Sequence, residues 1–580
     1  MDKVLSAPAL REGLEGSRVA AGSPRRKVLF VVVTHLRSEG NAGNIQDYPY
    51  GVLSIIKHNQ GLADFDIMDV AIDHDGIARL EGDLRAKLEA FQPDILGVSV
   101  MFDNAYFAIA PVLKVAKQVS PDILTVCGGP AVSPVAKKIL QNQPDLDAIC
   151  FSEGELPFHD LLMAENLLQE VEDHATWVSR KDIASPKGPQ KKLLTDISEV
   201  IDIDYSLIDV ASYDRRVSFN PLDDRYLDSL RAFPIVTSRG CPFKCSFCWH
   251  SGENDKSMRY SGVDELIAHV ENIVARYGAN CLIFYDDMLL LARDRAKEIF
   301  RRLAPFNLRI ELPNGLSPTY MDEELIELMY KAGVRSVRIA VESGDEWVIR
   351  NLVNKPMKIA HVQPVVDALR RHNIWIVAFI VVGLPGETDQ HRQTTRDKIL
   401  EWGIDLCSIS VASPIKGSLL YEQCLEEGYI DPNAEFLVSG FLYGENVINT
   451  KEFSAEYISD AAYVMNLDVN FVNSYRLQNG DYAAADSYFE YVTRTYQNHA
   501  FGHYCLALTK GQLNQPEAAA RHWAEAVRIG RADPLWAGYF DRFGITLGQD
   551  YDEFVALALM RGHGATQLSY VGSTGTLMSA

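Results

Sequence analysis

Long apolar runs are absent from this 580-residue chain, and no stretch approaches the roughly 20 residues that a membrane-spanning helix requires. Residues 1–26 are polar and turn basic at Arg25-Arg26. They lack the apolar centre of a secretory signal, so a disordered leader and a cytoplasmic protein are expected. Positive charge is also in deficit. Lysine and arginine total 56 against 78 acidic residues, a net charge of −22, which disfavours extended contact with nucleic acid. Cysteine is rare at nine residues, too few for a disulfide framework of this length. Cys127, Cys150, Cys281 and Cys407 lie in apolar, strand-like runs, where cysteine serves as a small core residue. A dinucleotide fingerprint is missing too: after the first strand candidate, residues 34–43 read THLRSEGNAG rather than G-x-G-x-x-G.

What is present is alternation. Strand candidates at 27–33, 65–72, 94–100, 124–127 and 148–151 are separated by amphipathic stretches. That pattern predicts an α/β domain over 27–180, with a Rossmann-like parallel sheet covered on both faces. Ligands of such sheets sit beyond the strand carboxyl ends, where Gly128-Gly129-Pro130 offers close approach to bare backbone. Residues 181–231 read as a polar linker followed by an irregular bridge. A second alternating region, 232–450, has strand candidates at 234–238, 281–285, 309–312, 336–341, 374–382 and 406–412. Six β/α units predict a partial (β/α)6 TIM-type barrel with chemistry at the strand carboxyl ends. From 451 to 562 the pattern is all-α. Gly480, Ala485, Phe489 and Val492 recur 34 positions later as Asn514, Ala519, Trp523 and Ala526, and Gly548 falls on a third step. The period resembles a tetratricopeptide repeat, a surface able to hold a protein partner or to cap a site. Residues 563–580 read as a flexible tail.

The remaining signal is CPFKCSFC, with Cys241, Cys245 and Cys248 in C-x3-C-x2-C spacing. Three thiolates can hold three irons of a [4Fe–4S] cubane and leave the fourth iron without a protein ligand. Zinc with His250 as fourth ligand is the competing reading, and one residue between Cys248 and His250 is tight for tetrahedral ligation. Other polar features follow later strands: Tyr285-Asp286-Asp287, Glu342-Ser343-Gly344 and the Gly383–Glu387 turn. Taken singly they have plainer readings. Asp286-Asp287 would suit a helix N-cap, Glu342 could pair with Arg338, and the glycines could serve turns.

The cysteine spacing, its place after a first strand and these later motifs together resemble the radical S-adenosylmethionine (SAM) superfamily over about 232–429. The resemblance implies SAM chelated to the open iron and opened by an electron to a 5′-deoxyadenosyl radical. It further implies that Phe247 contacts the adenine, Asp286 and Asp287 the amino group, Glu342 and Ser343 the ribose, and Gly383 the adenine side. Tyr48-Pro-Tyr-Gly-Val-Leu, Ser99-Val-Met, Gly128-Gly129-Pro130 and Ser152-Glu-Gly-Glu resemble the cobalamin-binding domain found ahead of many such cores, over about 27–162. There Ser99, Gly128 and Gly129 would line the pocket for the dimethylbenzimidazole tail. The D-x-H-x-x-G motif that ligates cobalt elsewhere is missing around His35, which implies base-off cobalamin with no histidine ligand. A domain of this shape kept only for packing is the plainer alternative.

Together the two resemblances imply methylation of an unactivated carbon in a small-molecule or peptide substrate, with a flavodoxin- or ferredoxin-type electron donor. The same cofactors would equally serve ring closure, oxidation or rearrangement. A cobalamin-dependent sensor or repeat scaffold is the alternative from another class. A tRNA-modifying role conflicts with the acidic charge. No residue can be named from sequence as a catalytic side chain.

Overall fold

The computed structural model describes residues 25–33, 48–70, 77–101, 103–185, 188–213, 230–249, 256–431 and 446–547. His35, His250, Gly548, the tail and nearly all of the leader lie outside the described residues, as do 214–229 of the bridge. Two compact units divide the chain, one of residues 1–195 with 202–214 and one of 196–201 with 215–580.

The first unit is built on strands β1 (Arg26–Val33), β2 (Ala63–Asp69), β3 (Ile95–Val100), β4 (Leu124–Gly128), β5 (Ala148–Cys150) and β6 (Trp177–Ser179). They form one sheet in the order β2-β1-β3-β4-β5-β6. The first five strands run parallel and β6 closes the edge antiparallel to β5. Strand β1 reads RKVLFVVV and is buried from Val28 to Val33, as a strand covered on both faces must be. The helix Ile109–Val119 turns Ile109, Val112, Leu113, Val115 and Ala116 inward at helical spacing. Phe158 packs between Phe30 and Trp177, at ring distances of 5.2 and 5.6 Å. Strand order reverses between β1 and β3, whose carboxyl ends carry Val33 and Val100, with Gly128 at the end of the next strand, β4. The described part of the bridge is irregular, yet Tyr213 stacks on Tyr48 at 4.7 Å and the tilted ring of Tyr205 packs against it at 5.3 Å.

The second unit begins with β7 (Ala232–Ile235), β8 (Ser238–Arg239), β9 (Arg259–Tyr260), β10 (Cys281–Phe284), β11 (Arg309–Glu311), β12 (Ser336–Glu342), β13 (Trp375–Val382) and β14 (Leu406–Val411). Two parallel three-stranded sheets, β11-β10-β7 and β12-β13-β14, hold six of these strands, and β8 pairs antiparallel with β9. The sheets are linked through Leu316, whose N–H donates to Arg338 O at 2.7 Å and whose carbonyl accepts from Ala340 N at 2.9 Å. Helices separate the strands. Glu323–Ala332, for example, is capped by Asp322, which accepts from Leu325 N, and ends at Gly333 with φ +113°.

Helices Ala455–Leu467, Tyr475–Gln478, Tyr482–Thr495, Ala500–Gln512, Pro516–Ala532 and Pro534–Arg542 complete the unit. Of the positions paired by the 34-residue period, Ala485, Phe489, Val492, Ala519, Trp523 and Ala526 are buried, whereas Gly480 and Asn514 are exposed. The first turns of this segment are fastened to β14 and its neighbours. Asn470 bridges Cys407 N–H and C=O, both at 2.7 Å, and thereby satisfies the edge of β14. Buried ion pairs join Arg396 to Asp468 at 2.7 Å and Arg476 to Asp405 at 2.6 Å.

Candidate cofactor sites

The cysteine loop leaves β8 through Gly240, at φ +95°, and Cys241, Cys245 and Cys248 are each half-buried. None of the nine cysteines forms a disulfide. The loop is tied down at several points. Cys248 N–H donates to Cys245 O at 2.9 Å, and Ser246 N–H to Val353 O at 2.9 Å. Ser246 Oγ donates to Leu352 O at 2.5 Å, and Asn354 Nδ2 to Lys244 O at 3.1 Å. Phe243 stacks on Tyr320 at 6.3 Å and 16°. Phe247 is half-buried between Ser246 and Cys248. Burial pushes the Cys245 thiol up to about 12, with Lys355 pulling the other way. Thiolates here therefore call for added positive charge, which a bound iron cluster brings. Among the described residues no three or more His, Cys, Asp or Glu side chains are grouped to hold one metal ion. Three thiols in one short loop instead fit a cubane, where each thiolate takes a different iron.

Asp286 follows β10 and does not cap a helix. Its carboxylate accepts from Thr237 N–H at 3.0 and 3.1 Å, from Thr237 Oγ1 at 2.7 Å and from Ser238 Oγ at 2.6 Å. Arg295 adds bonds to Thr237 Oγ1 at 3.1 Å and Thr237 O at 3.0 Å. The Asp286 side chain is thus spent on the residues that lead into the cysteine loop. Asp287 is exposed and faces Cys241. Asn314, which the sequence reading did not single out, donates to the Tyr285 and Asp286 carbonyls at 3.0 and 3.1 Å.

Glu342 ends β12 at a register shift with φ +67°, a strained conformation for a non-glycine residue. Its partner is Lys355 at 2.7 Å, not Arg338. Arg338 instead donates to Leu312 O at 3.4 Å and faces Glu311. Lys355 also donates to Ala340 O at 2.6 Å, so one half-buried cation serves both the bulge and the Cys245 thiol. Ser343 is buried, its hydroxyl 2.8 Å from Thr395 Oγ1. Gly383 follows β13 at φ +82°, and its N–H donates to Glu387 Oε2 at 2.6 Å. Because the strands are parallel, residues 286–287, 342–343 and 383 all follow carboxyl ends.

In the first unit Ser99 lies beside Gly128 on neighbouring strands. A Cβ at Gly129, where φ is +122°, would stand 2.1 Å from Val100 O, so the fold itself demands glycine there. Gly128 differs: a Cβ would meet only Cys150 Cβ, at an ordinary 3.6 Å. Packing therefore does not require glycine at position 128.

Two family models match the chain. The Radical SAM superfamily model matches residues 235–399, and the B12 binding domain model matches residues 48–162. Over these two stretches the chain is therefore similar to a B12-binding domain followed by a radical SAM domain. Among curated relatives, the cytidylyl-2-hydroxyethylphosphonate methyltransferase of Streptomyces wedmorensis is 28% identical over 417 residues, covering 67% of this chain and 77% of that one. The anaerobic magnesium-protoporphyrin IX monomethyl ester cyclase of Rubrivivax gelatinosus is 25% identical over 352 residues, covering 59% and 60%. Among solved structures, the cobalamin-dependent S-adenosylmethionine radical enzyme OxsB, with aqua-cobalamin and S-adenosylmethionine bound, matches with a TM-score of 0.61. It covers 94% of this chain and 85% of that one at 12% identity, a likeness of fold.

Proposed function

We propose that this chain is a cobalamin-dependent radical SAM methyltransferase that reductively cleaves SAM and methylates an unactivated carbon of a small-molecule or peptide substrate. The observation that carries the reading is the tied-down C-x3-C-x2-C loop at the carboxyl ends of β7 and β8, in a chain that also bears a B12-binding domain. When bound, the cluster supplies an electron to the SAM sulfonium and cobalamin carries the methyl group. Cys241, Cys245 and Cys248 would each hold one iron, and Lys355 would offset thiolate charge beside Cys245. Backbone near Tyr285–Asp287, held by Asn314, and the strained Glu342 with Ser343 would orient the two ends of SAM, with Phe247 and the Gly383 turn toward its adenine. Ser99, Gly128 and Gly129 would receive the cobalamin tail, base-off and without a histidine ligand.

The strand order and glycine-bearing carboxyl edge of the first sheet support a Rossmann-like cobalamin fold. Six parallel strands taken in chain order support a partial TIM-type barrel. Buried small and aromatic residues at a 34-residue period support tetratricopeptide-like hairpins. A flavodoxin- or ferredoxin-type donor, a cytoplasmic location and a protein partner on the repeats belong to the same proposal. Among the described residues no helix is long and apolar enough to cross a membrane. The likeness to a cyclase supports a second reading, ring closure without methyl transfer, which product mass separates from the first.

The test is anaerobic reconstitution with iron, sulfide and hydroxocobalamin, followed by metal analysis of the desalted protein. About four irons and about one cobalt per chain are expected, and Cys241→Ala, Cys245→Ala or Cys248→Ala each removes the cluster and SAM cleavage. Zinc in place of iron, or a full cluster in any of the three variants, defeats the radical SAM reading. Iron without cobalt removes the methyltransferase.

A further inference from the structure

The turn between β13 and the helix Asp389–Trp402 contains two left-handed glycines, Gly383 at φ +82° and Gly386 at φ +90°. Glycine backbone is the most permissive in the chain, so a fixed shape here needs outside restraint. From within, Glu387 accepts from Gly383 N–H at 2.6 Å and from Arg392 at 3.1 Å, and Arg392 reaches on to Asp389 at 2.5 Å. Glu387 is fully buried, and its Oε1 has no hydrogen-bond partner. Burial raises its carboxyl to about 7.

From outside, the turn is gripped by residues some 70 positions later, at the start of the helix Ala455–Leu467. Tyr457 Oη donates to Asp389 Oδ1 at 2.7 Å. The rings of Phe453 and Tyr457 lie 5.8 and 5.9 Å from the Arg392 guanidinium. A Cβ on Gly383 would come within 2.9 Å of buried Ile458, so that side chain already fills the space behind the glycine.

We propose that Tyr457 and Ile458 are positioning residues of the SAM site: through Asp389, Arg392 and Glu387 they hold the 383–388 turn in the shape that receives the adenosyl end of SAM. The inference rests on the SAM reading above and adds to it. The first helix of the C-terminal segment becomes part of the cofactor site, whatever the later hairpins bind.

The experiment measures SAM affinity of the reconstituted full-length protein by equilibrium dialysis, together with iron and cobalt content. Tyr457→Phe removes the hydroxyl that bonds Asp389 and leaves the ring packing in place, and about a fivefold weaker Kd is expected. KM for SAM rises by a like factor while kcat and metal content stay at wild-type values. Ile458→Ala, which frees the space behind Gly383, gives a loss of the same sense. Tyr539→Phe removes a comparable contact on the same segment, to Asp460 at 3.3 Å and away from the turn, and leaves SAM affinity unchanged. Wild-type affinity in Tyr457→Phe and Ile458→Ala overturns the inference, as does an equal loss in Tyr539→Phe. A fully iron-loaded wild type that binds no SAM overturns the SAM reading and this inference with it.

Discussion

Replacing Asp286 separates two roles for a carboxylate beside the cysteine loop. Three donors converge on it: Thr237 N–H, Thr237 Oγ1 and Ser238 Oγ, in a place only 3% exposed. In Asp286→Ala the two hydroxyls can turn elsewhere, but the Thr237 N–H cannot. An orphaned buried donor costs about 1–3 kcal/mol, and each lost bond to a charged acceptor about 1.5–3 kcal/mol. Against this, the variant no longer buries a charge, and that relief is real because burial raises the Asp286 carboxyl above its ordinary value. The balance is a destabilisation of about 3 kcal/mol for alanine. Asp286→Asn, which keeps one acceptor oxygen, loses about half as much. Thr237 and Ser238 stand just ahead of Cys241, so iron per chain should fall in the same order, wild type, asparagine, alanine. Urea unfolding and iron analysis after identical reconstitution read both effects. The reasoning is refuted if Asp286→Ala unfolds at the wild-type midpoint and holds full iron yet binds no SAM. The carboxylate would then act on SAM itself.

In the first unit, Gly128→Ala should fold normally yet bind cobalamin weakly in a titration, because its Cβ meets only Cys150. Gly129→Ala should lose about 3 kcal/mol or more of folding stability through its clash with Val100 O and its positive φ. Equal cobalamin affinity in wild type and Gly128→Ala would show that the carboxyl edge is not the pocket. In the helical segment, His499 caps Ala500–Gln512 by accepting from Gly502 N–H at 3.0 Å. Burial lowers its folded pKa from 6.5 to about 4. The unfolded chain therefore takes up a proton that the folded chain refuses, and stability falls as pH drops from about 6.5 toward 4, by about 3 kcal/mol in full. His499→Asn keeps a capping acceptor, so its unfolding midpoint should change less between pH 7 and 5.5 than that of wild type. Parallel curves for the two proteins would assign the pH response to another group.

Periodicity carried most of the framework, because a strand buried on both faces leaves a run such as RKVLFVVV that few other structures tolerate. Strand β6, three residues long and antiparallel to its neighbour, leaves no such trace. The carboxyl ends of the strands were legible for a similar reason: residues just after neighbouring parallel strands of one sheet share an edge. What escaped was the identity of partners. Thr237 lies 49 residues from Asp286, Thr395 lies 52 from Ser343, and Asn470 lies 63 from Cys407. Nothing local in threonine or asparagine announces which distant group it will meet. Glu342 is the sharpest case. A glutamate and an arginine four residues apart on one strand invite pairing on paper. The bulge at Ala340/Glu342 and the positive φ instead turn the carboxylate to Lys355, on the segment that also holds the cysteine loop. Strain at Glu342 and electrostatics at Cys245 are thus joined through one ammonium group. A reading from residue types alone assigns them to separate motifs.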